Sequence, residues 1–330
     1  MWAAEILRTS HTLVYYIWVV GAVLVGAFMA IAYYFFTWWN EHRDIIQSIG
    51  SWQDAVHRSE QLVIEAAERL PIDVWLDFRD PSVLGRFRQA IDGLMPTISP
   101  EEIDIQIANT AVLIDVPADV FRRLGNYFRF RAELARQRGA SENRARDLWY
   151  AVRRYERARD RALEEGGRRG RSVYGHASLG IAICLILLER NRDAMNYARE
   201  AADRLGAELT ISDAVPALVT YALTLKRNGE FQEATVAFEA ALSRAPFNVY
   251  ANYNAACCWA RWGDDAPSAE VRQGRYLRAL AAIETIVGRV GIDGHVVMGI
   301  ENDTDFKGVL QHPDLQPRFA DAVRRLKESG

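Results

Sequence analysis

Lysine is almost missing from this chain: among 330 residues only Lys226, Lys307 and Lys327 carry an ammonium, and nearly all other cations are arginine. Such a bias reads as the codon usage of a GC-rich bacterial genome and carries no mechanism. Cysteine is equally scarce. Cys184, Cys257 and Cys258 are odd in number and two are adjacent, which implies no disulfide framework and favours a reducing compartment. The six histidines share no ligand spacing with cysteines or acids, so no zinc site follows. A phosphate-cradling glycine loop, a nucleophile elbow and a convincing carboxylate pair are all lacking. The chain therefore does not read as an enzyme, and no catalytic residue, cofactor or metal is assigned.

Charge is also missing where it matters most. Between Thr12 and Asn40 there is no ionised side chain, and Leu13 to Trp39 is apolar or aromatic apart from Thr37. At ~1.5 Å per residue such a helix reaches roughly 40 Å, more than the ~30 Å hydrocarbon core of a bilayer. Tyr15, Tyr16 and Trp18 near one end, and Tyr33, Tyr34, Trp38 and Trp39 near the other, suit the two headgroup zones. One alternative is a buried helix of a soluble core, which would need a polar face that this run lacks, and the other is a cleaved signal peptide ending at Ala30-Ile31-Ala32. Against it stand a single n-region cation, Arg8, and a run too long for an ordinary signal core. The expectation is a single-pass protein of a bacterial inner membrane. Arg8 on one side against Arg43 and Arg58 on the other, together with the unpaired cysteines, points to a cytoplasmic C-terminal domain.

Beyond the anchor the pattern is helical. Ile45, Ile49, Trp52, Val56, Ser59, Val63, Ala66 and Leu70 recur in steps of four and three, a stripe able to pair two chains or to pack on its own domain. Within the membrane run, Ala22, Gly26 and Ala30 make a small-residue ladder, the feature on which homodimerisation is expected. Pro71, Pro81, Pro96 and Pro100 then break the chain into short helices and turns. The expected organisation is a tail (1–12), a transmembrane helix (13–39), a helical stalk (40–70), a linker of short helices (71–116), an arginine-rich helix pair (117–166), helical repeats (167–290) and a C-terminal cap (291–330).

The repeats are carried by spacing. Leu218, Tyr221, Ala222 and Leu225 form one helical stripe, Gly229 turns the chain, and Ala234, Phe238 and Ala241 form a second stripe before Pro246. Asn252, Ala255, Ala256 and Trp259 repeat the first stripe, followed by a polar stretch over 265–275 that reads as an inserted loop. Ser178, Ile181, Ala182 and Leu185, with Ala194, Ala198 and Ala201, form an earlier copy. This pattern resembles the tetratricopeptide repeat. The resemblance implies an all-α fold, a helical anchor and stalk followed by an α-solenoid, and a protein or peptide partner bound on the concave face. First-helix positions expected there are Leu179 and Ile183, then Val219, Lys226 and Arg227, then Tyr250, Tyr253 and Arg261.

Two further features compete for function. Residues 122 to 171 hold 16 arginines against 7 acids, a surplus of nine that leaves a deficit of twelve elsewhere, given the overall −3. Internal ion pairs, a face toward anionic membrane lipid, or contact with acidic protein or nucleic acid would each account for it. Interspersed acids weaken a polyanion track, so nucleic acid is not the expected partner. Asp303-Thr304-Asp305-Phe306-Lys307-Gly308, followed by Asp314, has the outline of a calcium loop. Lys307 stands in a ligand place, Pro313 stiffens the loop, and the closing residue is aspartate instead of a bidentate glutamate, so metal binding is not expected. The function read from the sequence is a membrane-anchored helical-repeat protein that binds or scaffolds a protein partner at the membrane surface. The alternative is a structural subunit of a fixed membrane complex or homo-oligomer, and a third is an enzyme without motifs or a nucleic-acid-binding effector.

Overall fold

The computed structural model describes residues 116–206, 210–287, 300 and 303–329, together with isolated helical positions nearer the N-terminus. Chain contacts separate Met1–Leu62 from Val63–Gly330, and the helices from residue 118 onward all belong to the second unit. Apart from Met29, Tyr34, Thr37 and Ile64, the expected membrane helix (13–39), its ladder Ala22, Gly26 and Ala30, and the stalk lie outside the described residues, as does most of the linker.

All described elements are helical. They are α1 (Ala118–Gln137), α2 (Ser141–Glu165), α3 (Gly167–Leu187), α4 (Asn191–Leu205), α5 (Ile211–Arg227), α6 (Phe231–Arg244), α7 (Val249–Asp264), α8 (Ala269–Ile286), a 3-10 turn (Thr304–Phe306), α9 (Lys307–Gln311) and α10 (Gln316–Ser329). From α1 to α8 each helix packs on the next, and α1, α3, α5 and α7 also touch one another in series. The odd-numbered helices, which touch in series, thus make one layer, termed inner, and the even-numbered helices a second, termed outer.

Three of the pairs close in the same way. In the turns after α1, α3 and α5 the backbone N–H of Ala140, Arg190 and Glu230 donates to the carbonyl of Ala135, Leu185 and Leu225, at 2.9, 2.8 and 3.0 Å. The residue before each donor is left-handed: Gly139 at φ 70°, Glu189 at φ 62° and Gly229 at φ 83°. This is the Schellman closure, which satisfies helix-end carbonyls and favours glycine at the left-handed position. Glu189 fills that position against its steric preference.

Packing depends on small residues facing large ones. Tyr155 of α2 is 1 % exposed, and its ring is clasped between Gly125 of α1 and Gly180 of α3. A methyl group at either glycine would come within 2.5 or 2.6 Å of the ring. The Tyr155 hydroxyl donates to Asn126 Oδ1 at 2.6 Å, so one side chain ties three helices together and keeps its own polar atom satisfied. Further along, Phe238 of α6 is buried with Ala222, Ala234, Ala241, Ala251 and Cys258. A last cluster gathers Tyr276, Leu280 and Ile283 of α8 with Phe306, Val309 and Phe319, so the C-terminal segment closes the end of the stack.

The polar stretch over 265–275 is only partly a loop. Ser268 accepts the Val271 N–H through its Oγ and starts α8 at Ala269. Residues 269–274 are helical yet exposed, so no apolar stripe marks them in the sequence. Among the described helices, α3 alone has the length and composition to cross a membrane. Its apolar side chains are mostly buried, since it packs on α1, α2, α4 and α5.

Candidate functional site

The inner layer supplies the site. On α7, Tyr253, Cys257 and Arg261 are spaced by four residues and share one face. Lys226, at the C-terminal end of α5, lies beside that face. Against them sits the 3-10 turn with its N-cap Asp303, whose Oδ1 accepts the Asp305 N–H at 2.9 Å. Lys226 Nζ donates to Asp305 Oδ2 at 2.6 Å, and Arg261 Nε lies 3.8 Å from Asp305 Oδ1. The Tyr253 hydroxyl and the Cys257 thiol both donate to Asp303 Oδ2, at 2.5 and 3.5 Å. Phe306 fixes the turn from below: it is fully buried, 5.0 Å from the Phe319 ring and 6.4 Å from the Tyr253 ring between centroids.

The electrostatics of the cluster follow from these contacts. Burial alone would lower the Lys226 ammonium, but Asp305, which accepts its hydrogen bond, and Asp303 beside it outweigh that effect and hold the group above its ordinary value. Burial pushes the Cys257 thiol well up, so the sulfur stays a protonated donor. Tyr253 is raised too, by burial first and then by Cys257 and the Asp303 hydrogen bond, so its hydroxyl remains a donor.

The same atoms raise the question of a metal, because ligand atoms of Cys257, Asp303 and Asp305 lie within 4.8 Å of one another. The donor set does not fit one. The Lys226 ammonium already occupies the cation position beside Asp305, and its positive charge opposes a second cation there.

The eight expected groove residues separate into three groups. Lys226, Tyr253 and Arg261 converge on the acidic turn. Leu179 and Val219, at 2 % and 1 % exposed, are core residues. They lie where successive inner helices meet, so no partner reaches them. Ile183 is half-buried against the Leu179 cluster, and Tyr250 is half-buried against the cluster that holds Phe238. Arg227 is exposed, and its Nη1 donates to the Ile186 carbonyl at 3.2 Å, fastening α5 to the end of α3. Asp303, Asp305 and Phe306 were not among the expected groove residues. Their sequence signals are the failed calcium loop and the expected C-terminal cap, and Asp305 meets the Lys226 ammonium.

The arginine-rich pair is bound into the fold to a large degree. Arg122 and Arg123 hold Asp119 at 2.6 and 2.8 Å, Arg131 approaches Asp147 at 3.4 Å, and Arg159 reaches Glu200 at 2.6 Å. Arg146, Arg153, Arg157, Arg168, Arg169 and Arg171 are exposed.

No family model matches this chain, and no curated protein matches it in sequence.

Proposed function

We propose that this chain is a single-pass membrane protein whose tetratricopeptide-like α-solenoid binds a protein partner on the inner helix layer. The observation that carries the reading is the cradle of Lys226, Tyr253 and Arg261, built by two neighbouring inner helices and closed on a segment of polypeptide. Its chemistry, an ammonium, a guanidinium and a phenol on rigid helices, is that of peptide capture. The repeated turn closures and the series contact of the inner helices support the solenoid assignment. Support for the anchor is the charge-free run from Leu13 to Trp39, in which Met29 and Tyr34 are helical and exposed. By this reading the repeats face the cytoplasm and hold the partner at the membrane surface.

The test is recovery of partners from detergent-solubilised membranes with full-length protein and a Lys226→Glu, Arg261→Glu variant of unchanged helicity. The variant is expected to lose a protein that the wild type retains. Identical recovery by both would place the partner elsewhere. Resistance of the full chain to carbonate extraction tests the anchor separately, and release into the soluble fraction contradicts it.

A further inference from the structure

The cradle is not empty: residues of this same chain fill it, and how they fill it says what else fits. Asp303 and Asp305 are only half-buried, and both reach the inner layer through side-chain carboxylates alone. The anchoring of the turn is separate, because the ring of Phe306 is fully buried among Phe319 and the apolar residues of α7 and α8. Removing the two carboxylates from the cradle therefore does not require removing Phe306 from the core. The occupant also leaves capacity unused. Arg261 is half-exposed, comes no closer than 3.8 Å to Asp305, and has no nearer partner among the described residues. A guanidinium placed beside a carboxylate without direct hydrogen bonds can take a better-placed acid in bidentate fashion.

We infer that Lys226, Tyr253 and Arg261 form a binding site for an acidic peptide segment with two carboxylates two residues apart, and that Asp303 and Asp305 are its resident stand-in. The inference rests on the partner-binding reading and specifies the ligand. One incoming carboxylate takes the Lys226 ammonium and the Arg261 fork, and the other accepts from Tyr253. The resident turn competes as an intramolecular ligand, whose effective concentration is of about millimolar order for short tethers. An external segment thus binds weakly until the resident acids are removed or outnumbered. The positive charge of the cradle without its resident acids excludes basic segments, and the spacing of Lys226 and Tyr253 selects paired acids over a single one.

The test uses the full chain in detergent micelles and two fluorescent hexapeptides. One has the sequence of residues 302–307, Asn-Asp-Thr-Asp-Phe-Lys, and the other has both aspartates replaced by asparagine. A chain carrying Asp303→Asn and Asp305→Asn is expected to bind the acidic peptide about tenfold more tightly than wild type, because the competitor is gone. Adding Lys226→Met should abolish that gain, and the asparagine peptide should show none. A folded double variant without the gain, a gain that survives Lys226→Met, or an equal gain for the asparagine peptide overturns the inference. Should the double variant lose its fold, the wild-type chain decides: at millimolar concentration the acidic peptide with a photoreactive phenylalanine should label α7, competed by unlabelled acidic peptide and not by its asparagine form. No label on α7 overturns it as well. If these peptide results fail while partner recovery still depends on Lys226 and Arg261, the partner-binding reading stands and only the acidic ligand falls. If both fail, the cradle is part of the fold and nothing more.

Discussion

Lys226 and Asp305, 79 residues apart in sequence, meet at 2.6 Å across the inner helix layer, with side chains 14 % and 21 % exposed. A pair this sheltered is not a surface ion pair of negligible worth, because each partner left alone retains a poorly hydrated charge. Lys226→Met and Asp305→Asn are each expected to cost about 1.5–3 kcal/mol, and the double change less than their sum by about 1–2 kcal/mol. Urea unfolding of the four proteins in the cycle measures this. Strictly additive single effects would show that the contact contributes nothing to stability.

The buried aromatic of α6 gives a larger effect. Phe238 is 1 % exposed and packed mainly by alanines, which cannot collapse into the space its ring would leave. Phe238→Ala is expected to destabilise by about 3–5 kcal/mol in the same assay. A loss below about 1 kcal/mol would mean that the α5–α6 pair does not pack as described.

The turn after α3 offers a change in the opposite direction. Glu189 holds φ 62° where the equivalent turns carry Gly139 and Gly229. Glu189→Gly should stabilise by about 0.5–1 kcal/mol, the relief of left-handed strain less the added freedom of the unfolded chain. A fall in melting temperature would contradict the turn assignment.

How much of this was legible in the sequence depends on what each signal rests on. The all-α class rests on local spacing, and Leu218, Ala222 and Leu225 fall on one helix as Ala234, Phe238 and Ala241 fall on another. The first turns of α8 were illegible because residues 269–274 touch little, and a solvated helix has no apolar stripe to reveal it. Leu179 and Val219 show a different limit. Helical phase tells which residues share a face, but whether that face meets solvent or the next inner helix is set by stacking, which one helix does not encode. The acidic turn was visible as part of a cap and as a motif that failed for calcium, not as the partner of a helix. Its partner is a lysine 79 residues away, and no local pattern links them.

His176 predicts the acid behaviour of the fold. It is 7 % exposed, with Nε2 3.3 Å from Asp213 Oδ1 and Nδ1 3.4 Å from Ser172 Oγ. Burial, with a further push from Arg122 and against the pull of Asp213, lowers its pKa from 6.5 to about 4. The unfolded chain therefore takes up this proton first as pH falls, so stability declines between the unfolded and folded values and levels off below the latter. The contribution lost is about 2–4 kcal/mol, and a His176→Gln chain should show a flatter profile over the same interval. An unchanged pH profile in that variant would assign the acid sensitivity to other groups.

The central claim, that the inner helix layer captures a protein partner at the membrane, is tested most directly by crosslinking in native membranes. A photoreactive phenylalanine in place of Tyr250, on α7 one turn from Tyr253, should yield a discrete adduct between the full-length chain and a second protein. Adding Arg261→Glu, a change at the exposed rim that keeps the Lys226–Asp305 pair, should remove that adduct while leaving the amount of folded protein in the membrane unchanged. An adduct of equal yield with and without Arg261→Glu, or no adduct to any other protein, would contradict the account.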